Sequence, residues 1–171
     1  MLAKYKAIFL LLLLQTSAFS QDLGKAYFAG GCFWCMEESF EKKGGVLEVI
    51  SGYSGGTTKN PTYEEVCSGL TGNNEELLVA YNPEVVDFAE MLTLFWENHD
   101  PTQGMRQGND IGTQYRSGIY VSNEQQRSLA ESSRIEFQKA LNGAGYGTIT
   151  TEILLEDEFY YAEHYLSLIH I

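Results

Sequence analysis

The chain has 171 residues, with 11 basic and 23 acidic side chains, a formal net charge of −12, 44% hydrophobic residues, 17 Gly and 3 Pro. That length makes one domain, long enough to bury about two thirds of its unfolded surface. Aperiodic glycines and plentiful aromatics exclude collagen-like, coiled-coil and low-complexity architectures, and the acidic balance argues against nucleic-acid or anionic-membrane partners, which need clustered Lys and Arg.

Residues 1–20 begin with Lys4 and Lys6, run apolar from Ala7 to Leu14, and end in Ala18-Phe19-Ser20. This pattern predicts a secretory signal peptide cleaved after Ser20, leaving a mature domain over 21–171. The apolar run is shorter than the roughly 20 residues that cross a bilayer, so stable membrane insertion is not expected. The expected location is periplasmic or extracellular, where cysteine thiols oxidise unless something keeps them reduced.

Lys25 to Ala29 reads as a short strand stopped by Gly30-Gly31, and Cys32 to Phe40 as a helix. Val46 to Tyr53 is β-branched and nearly continuous in apolar residues, which predicts a strand buried on both faces. After a loop rich in Gly, Thr and Asn, Thr62 with Glu65 forms a capping box for a short helix, and Leu77 to Tyr81 alternates like a strand. Asp87 with Glu90 repeats that cap, and Phe88, Met91, Leu92, Phe95 and Trp96 follow at helical spacing, as a core-facing stripe. Residues 98–113 have no apolar period, and a loop that long inside a compact domain is usually functional. Arg116 to Val121 is strand-like, Ser122 with Gln125 is read as the cap of a helix to about Leu141, and Ile149, Thr151, Ile153 and Leu155 alternate as a last strand. Strands and helices interleave without repeat or linker. The predicted fold is a single-domain α+β two-layer sandwich, a mixed sheet with flanking helices.

Cys32 follows a glycine pair at the first turn of a helix, where unpaired N–H groups and the helix dipole favour a thiolate. Cys35 lies one turn on and is within reach as a disulfide partner. A C-x-x-C in an exported protein is equally compatible with a nucleophile and its partner, a structural disulfide, or a metal site. The residues around it are more specific. Gly31-Cys32-Phe33-Trp34-Cys35-Met36-Glu37 resembles the G-C-F-W motif of peptide methionine sulfoxide reductases of the A type (MsrA). The segments 52–56 and 60–66 are similar to that family's glycine loop and N-P-T-Y segment. Thr71-Gly72-Asn73-Asn74-Glu75 matches its T-G-H-x-E, and 107–117 its Q-x-x-D-x-G-x-Q-Y-R-S block. The resemblance spans about Tyr27 to Tyr165 with the blocks in family order, and implies the MsrA-like, ferredoxin-like fold.

The resemblance implies a reductase of methionine-S-sulfoxide, free or in proteins. It makes Cys32 the attacking thiolate, Glu75 the buried acid, and Tyr63 and Tyr115 hydrogen-bond donors to the sulfoxide oxygen. Phe33 and Trp34 would wall the substrate methyl group, and Asp110 would hold the site or the substrate backbone. Burial beside aromatic rings would raise the pKa of Glu75 so that it can donate a proton, and would penalise the thiolate until substrate binds. Attack would leave a sulfenic acid on Cys32. Cys35 is implied as the resolving cysteine. Cys67, on the short helix, is the rival resolver and otherwise a buried structural thiol. No metal or bound cofactor is expected, the reductant being a thioredoxin-like protein or another dithiol, and the enzyme a monomer.

Asn73 stands where the family has His, which removes a titratable group beside the acid but keeps hydrogen-bonding capacity. Phe159 to Tyr165 resembles the family's F-Y-P-A-E-x-Y with Tyr161 in place of Pro, and the apolar residues 166–171 replace its polar tail, so a truncated or altered end is expected after about 165. Two other functions fit parts of the pattern. One is a thiol-disulfide oxidoreductase using the C-x-x-C pair, against which stand the bulky Phe33-Trp34 between the cysteines and the lack of a proline placed to face them. The other is a zinc module using Cys32, Cys35, Cys67 and His99, whose spacing is loose for a metal site.

Overall fold

A computed structural model describes residues 23–168. The predicted signal peptide, 1–20, and the last three residues of the tail lie outside them. In chain order the elements are β1 (Gly24–Gly30), α1 (Phe33–Glu41), β2 (Val46–Ser54), α2 (Tyr63–Cys67), β3 (Asn74–Tyr81), α3 (Phe88–Glu97), β4 (Arg106–Gln107), β5 (Asp110–Ile111), β6 (Ser117–Val121), α4 (Glu124–Ala144), β7 (Glu152–Leu155) and β8 (Tyr160–Tyr161). Single turns of 3-10 helix lie at Thr113–Tyr115 and His164–Leu168.

Six strands form one sheet in the order β7-β6-β1-β3-β2-β8. All neighbours are antiparallel except β6 and β7, whose parallel pairing is made possible by the 21-residue crossover helix α4. Within the sheet, β6-β1-β3-β2 with α1 after β1 and α3 after β3 is the split β-α-β arrangement of a ferredoxin-like fold. The molecule is thus the single α+β domain with a mixed sheet that the interleaved pattern predicts.

Strand side chains alternate between faces, and Ala26, Phe28, Tyr53, Leu77, Val79, Ile119, Val121 and Ile153 share the face that is buried against the helices. Phe28 is at the centre, with its ring 5.1 Å from Phe40, 6.1 Å from Phe88 and 5.2 Å from Phe95. Aromatic pairs of this kind add about 0.5–1.5 kcal/mol each beyond the area they bury. The apolar stripe of α3 joins this core as expected, with Met91, Leu92, Phe95 and Trp96 all buried.

The capping boxes at Thr62/Glu65 and Asp87/Glu90 are both formed. The third cap lies one residue later than expected. Asn123, extended at φ −160°, accepts the Gln126 N–H at 2.9 Å, while Ser122 donates its N–H to the Gln126 side chain and its hydroxyl to Glu156 at 2.6 Å. Strand β3 starts at Asn74 instead of Leu77, because Asn74 and Glu75 are buried and pair with Ser54 and Tyr53. The last strand starts at Glu152, not Ile149. Strand β2 is not buried on both faces: Leu47 is 58% exposed and Glu48 is exposed beside it, where the pairing with β3 shifts register between Val46 and Glu48. The long segment 98–113 is organised by the β4–β5 hairpin, which pairs Gln107 with Asp110.

Candidate active site

The chain leaves β1 through Gly31, whose φ of +98° lies in the left-handed region that glycine tolerates without strain. A Cβ there would sit 2.5 Å from the Cβ of Gln107. The Gln107 amide is fixed on both sides, accepting the Asp100 N–H at 3.1 Å and donating to the Asp100 carbonyl at 2.9 Å. The β4–β5 hairpin therefore lies directly against the turn that delivers Cys32 to the N-cap of α1.

Across the sheet, Glu75 projects from β3 on the helix-covered face, opposite Tyr53 on β2. It is only 2% exposed, and its Oε2 accepts the backbone N–H of Phe33 at 3.1 Å. Phe33 opens α1, so this amide has no partner within the helix. The carboxyl thus occupies the helix N-terminus beside Cys32. Burial pushes its pKa up to about 7, the Phe33 amide pulls it back, and Asp110 adds an upward push. Near neutrality the carboxyl is protonated in a large fraction of molecules.

Burial also raises the half-buried Cys32 thiol, to about 12; a Cys35 backbone hydrogen bond lowers it, while the charges of Cys35 and Glu75 raise it further. The helix start does not offset the penalty that the apolar setting imposes on the thiolate. Its first orphan N–H serves Glu75, and desolvation outweighs what remains. The sulfur is a thiol beside a carboxylic acid.

Aromatic rings wall this pair. Phe33 lies 5.2 Å from Trp34, 6.0 Å from Tyr53 and 6.4 Å from Tyr63, and Trp34 lies 6.1 Å from Tyr63. The Tyr63 phenol is raised by burial and by hydrogen bonding to Cys67, and Tyr115 is raised to about 12 by burial and by the charges of Glu75, Cys67 and Asp110. Both hydroxyls stay protonated as donors. Asp110 is exposed, on β5, and acts on Glu75 through its field. Cys32, Phe33, Trp34, Tyr63, Glu75, Asp110 and Tyr115 therefore converge at one end of the sheet. All three cysteines are free thiols, and Cys35 is exposed one turn along α1. Cys67 is also exposed, so the expected buried structural thiol is not found; it ends α2, where only Val66 of that helix turns inward.

Four contributors have no role that the sequence pattern assigns, although Gln107 and Glu163 stand within its motif blocks. Glu163 accepts the Tyr53 hydroxyl at 3.1 Å and the Tyr63 N–H at 2.8 Å, the Leu166 carbonyl accepts the Trp34 indole N–H at 3.1 Å, and Gln107 braces the Gly31 turn. These contacts span 100 positions or more in the first three cases and carry no local signal. The fourth is Glu76, which faces the opposite side of the sheet, is 1% exposed, and accepts the Ser54 hydroxyl, with burial raising its pKa to about 8. His99 is half-buried, with its ring nitrogens on the Phe95 carbonyl at 2.8 Å and the Ser117 hydroxyl at 2.7 Å. Among the described residues no group of three or more His, Cys, Asp or Glu is arranged to hold a metal ion, which removes the support for a zinc module. A groove of about 720 Å³ lies at the Gly24 end of β1, away from Cys32, and is lined by no cysteine.

The model of the family described as peptide methionine sulfoxide reductase matches residues 24–167. MsrA 2 of Nostoc sp. is 57% identical over 147 residues, 86% of this chain and 66% of that protein. MsrA of Rippkaea orientalis is also 57% identical, over 86% of this chain and 68% of its own. The chain thus spans about two thirds of the length of these curated relatives. Among solved structures, methionine sulfoxide reductase A of Corynebacterium diphtheriae superposes with a TM-score of 0.81 at 41% identity, covering 86% of this chain and 76% of that one. Reduced Mxr1 of Saccharomyces cerevisiae gives 0.77 at 32% identity, covering 84% and 81%. Mxr1 has also been solved in complex with Trx2, and there the likeness, 24% identity with a TM-score of 0.61 over 82% of this chain and 81% of that one, is of fold alone. The ferredoxin-like sheet brings the N-cap cysteine of α1 to a buried carboxyl. The chain belongs to the peptide methionine sulfoxide reductase family, A type.

Proposed function

We propose that this protein reduces methionine-S-sulfoxide, free or within proteins, to methionine. The observation that carries the proposal is the 3.1 Å hydrogen bond from the Phe33 amide to Glu75, which fixes a carboxylic acid beside the Cys32 sulfur. In the proposed reaction Tyr63 and Tyr115 donate hydrogen bonds to the sulfoxide oxygen, and Glu75 gives it a proton. Phe33 and Trp34 hold the methyl group, and Asp110 holds the substrate backbone at the rim. As positive charge grows on the substrate sulfur, the Cys32 proton passes to the carboxylate that Glu75 has become, and the thiolate attacks the substrate sulfur. The S–O bond then breaks as the hydroxyl moves onto the Cys32 sulfur, and the transient sulfur–sulfur bond breaks with its electron pair going to the substrate sulfur, so methionine leaves reduced by two electrons and Cys32 is left as a sulfenic acid.

The Cys35 thiol then attacks Cys32, forming a disulfide and releasing water; Cys67 is the alternative resolver. A thioredoxin-like protein or another dithiol restores both thiols. The exposure of Cys35 supports access for such a reductant. The amino-terminal sequence supports action on oxidised exported proteins in a periplasmic or extracellular setting. The enzyme is proposed to act as a monomer. Among the described residues no helix is long and apolar enough to cross a membrane.

Turnover of the two sulfoxide diastereomers by wild type and Cys32→Ser tests the reading. The S form alone should be reduced, and only by wild type. Equal rates for the two proteins would refute it, and insulin-disulfide reduction without sulfoxide turnover would favour a thiol-disulfide oxidoreductase instead.

A further inference from the structure

The segment from β8 to Leu166 crosses the mouth of the site as a strap. Tyr160 and Tyr161 pair with β2, and the Ala162 N–H continues that pairing onto the Ser51 carbonyl at 3.0 Å. Glu163 then turns inward, and both of its oxygens are used on site elements. One accepts the Tyr63 N–H at 2.8 Å, and the other accepts the Tyr53 hydroxyl at 3.1 Å. The strap ends with Leu166, which is buried and whose carbonyl accepts the Trp34 indole N–H at 3.1 Å.

The Tyr63 amide opens the five-residue helix α2. A helix that short has little stability of its own, so what holds its first turn sets where its side chains point. The Thr62–Glu65 box satisfies the Thr62 and Glu65 amides but not that of Tyr63. Glu163 supplies the missing acceptor. Through Tyr53, a fully buried ring 6.0 Å from Phe33 and paired in register with Glu75, the same carboxylate is anchored to the strand pair that carries the acid.

We infer that Glu163 is a positioning residue, whose carboxylate locks Tyr63 onto the Tyr53–Glu75 strand pair so that the Tyr63 hydroxyl meets the sulfoxide oxygen. The inference rests on the functional reading above. It places no bond between Glu163 and substrate. Loss of Glu163 should therefore act through Tyr63, on the chemical step more than on binding.

The test is a double-mutant cycle in the full chain, with kcat and KM measured separately for S-sulfoxide and dithiothreitol as reductant. Glu163→Ala should lower kcat by roughly 10- to 100-fold, the scale of a misplaced catalytic group, with a smaller change in KM. In a Tyr63→Phe background the same substitution should cost less than about 2-fold, because coupled positions are not additive. Glu163→Gln, which keeps an oxygen for the Tyr63 amide and an N–H for the Tyr53 oxygen, should restore most of kcat. Equal losses in both backgrounds, or a Gln variant as poor as Ala, would overturn the inference. If Glu163→Ala does not fold, Glu163→Asp withdraws both oxygens by one methylene at constant charge and takes its place in the cycle, with the same two outcomes. Wild-type protein without turnover would end the functional reading; wild-type turnover with additive losses ends this inference alone.

Discussion

The Phe33 amide and the Glu75 carboxylate, 42 positions apart in sequence, meet at 3.1 Å at the start of α1. That contact uses the helix N-terminus to hold an acid instead of a thiolate. Burial, which this amide only partly offsets at Glu75, raises both the carboxyl and the Cys32 thiol, so that the two protonated forms are favoured in one apolar enclosure.

Glu75→Gln keeps an oxygen for the Phe33 amide but has no proton to give. Sulfenic acid formation should slow by about 10²-fold or more, as for a lost general acid. The carboxyl is protonated below its pKa of about 7, so the wild-type single-turnover rate should fall as pH rises through that value. A pH series that shows the same decline in the Gln variant would assign it to another group.

Oxidising the protein with one equivalent of sulfoxide, without reductant, and mapping the product by mass spectrometry identifies the resolver. A Cys32–Cys35 disulfide is expected, and Cys67→Ser should form it at the wild-type rate. Because a disulfide needs Cα atoms within about 6.8 Å and suitably aimed Cβ vectors, α1 should loosen locally on oxidation, visible as faster amide exchange over residues 33–36. A Cys32–Cys67 product would reassign the role.

Gly31→Ala forces a left-handed backbone on a residue with a Cβ, at a cost of about 1–3 kcal/mol, and drives that Cβ to 2.5 Å from Gln107. Both stability and kcat should fall, since relief requires moving the Cys32 turn or the β4–β5 hairpin. A variant with wild-type melting temperature and rate would show the turn to be less constrained than its φ of +98° implies.

Glu76, on the far face of β3, carries a pKa raised to about 8 by burial. Its folded value lies above its unfolded one, so its contribution to stability is present in full below about 4.5 and lost as pH rises through 8. At about 1.4 kcal/mol per unit the loss is several kcal/mol. Glu76→Gln should melt progressively higher than wild type as pH is raised from 5 to 9. Melting curves that run parallel across that range would mean the carboxylate is satisfied in place by Arg116, which lowers its pKa.

Strands, helices and two of three caps were legible because periodicity and capping chemistry are local. The α4 cap slipped by one residue because Ser122 and Asn123 are both competent and only the backbone angles decide between them. Cys32, Phe33, Trp34, Tyr63, Glu75, Asp110 and Tyr115 could be named from motif blocks, and the fold does gather them. The penalty on the Cys32 thiolate follows from the apolar residues of the motif, but that the first helix N–H serves Glu75 instead of the sulfur does not. Nor does the role of Glu163, whose partners are 100 and 110 positions away.

Strand β3 lies inside the sheet, between β1 and β2. Its acid is unusual only when both neighbours are in place; in an unfolded or half-made chain Glu75 is an ordinary ionised carboxylate. The cysteine is present from the moment it is synthesised, but its proton donor is created by closure of the sheet. On the proposed function, reactivity towards sulfoxides is thus a property that the assembled sheet confers, and any opening that separates β3 from its neighbours should switch it off.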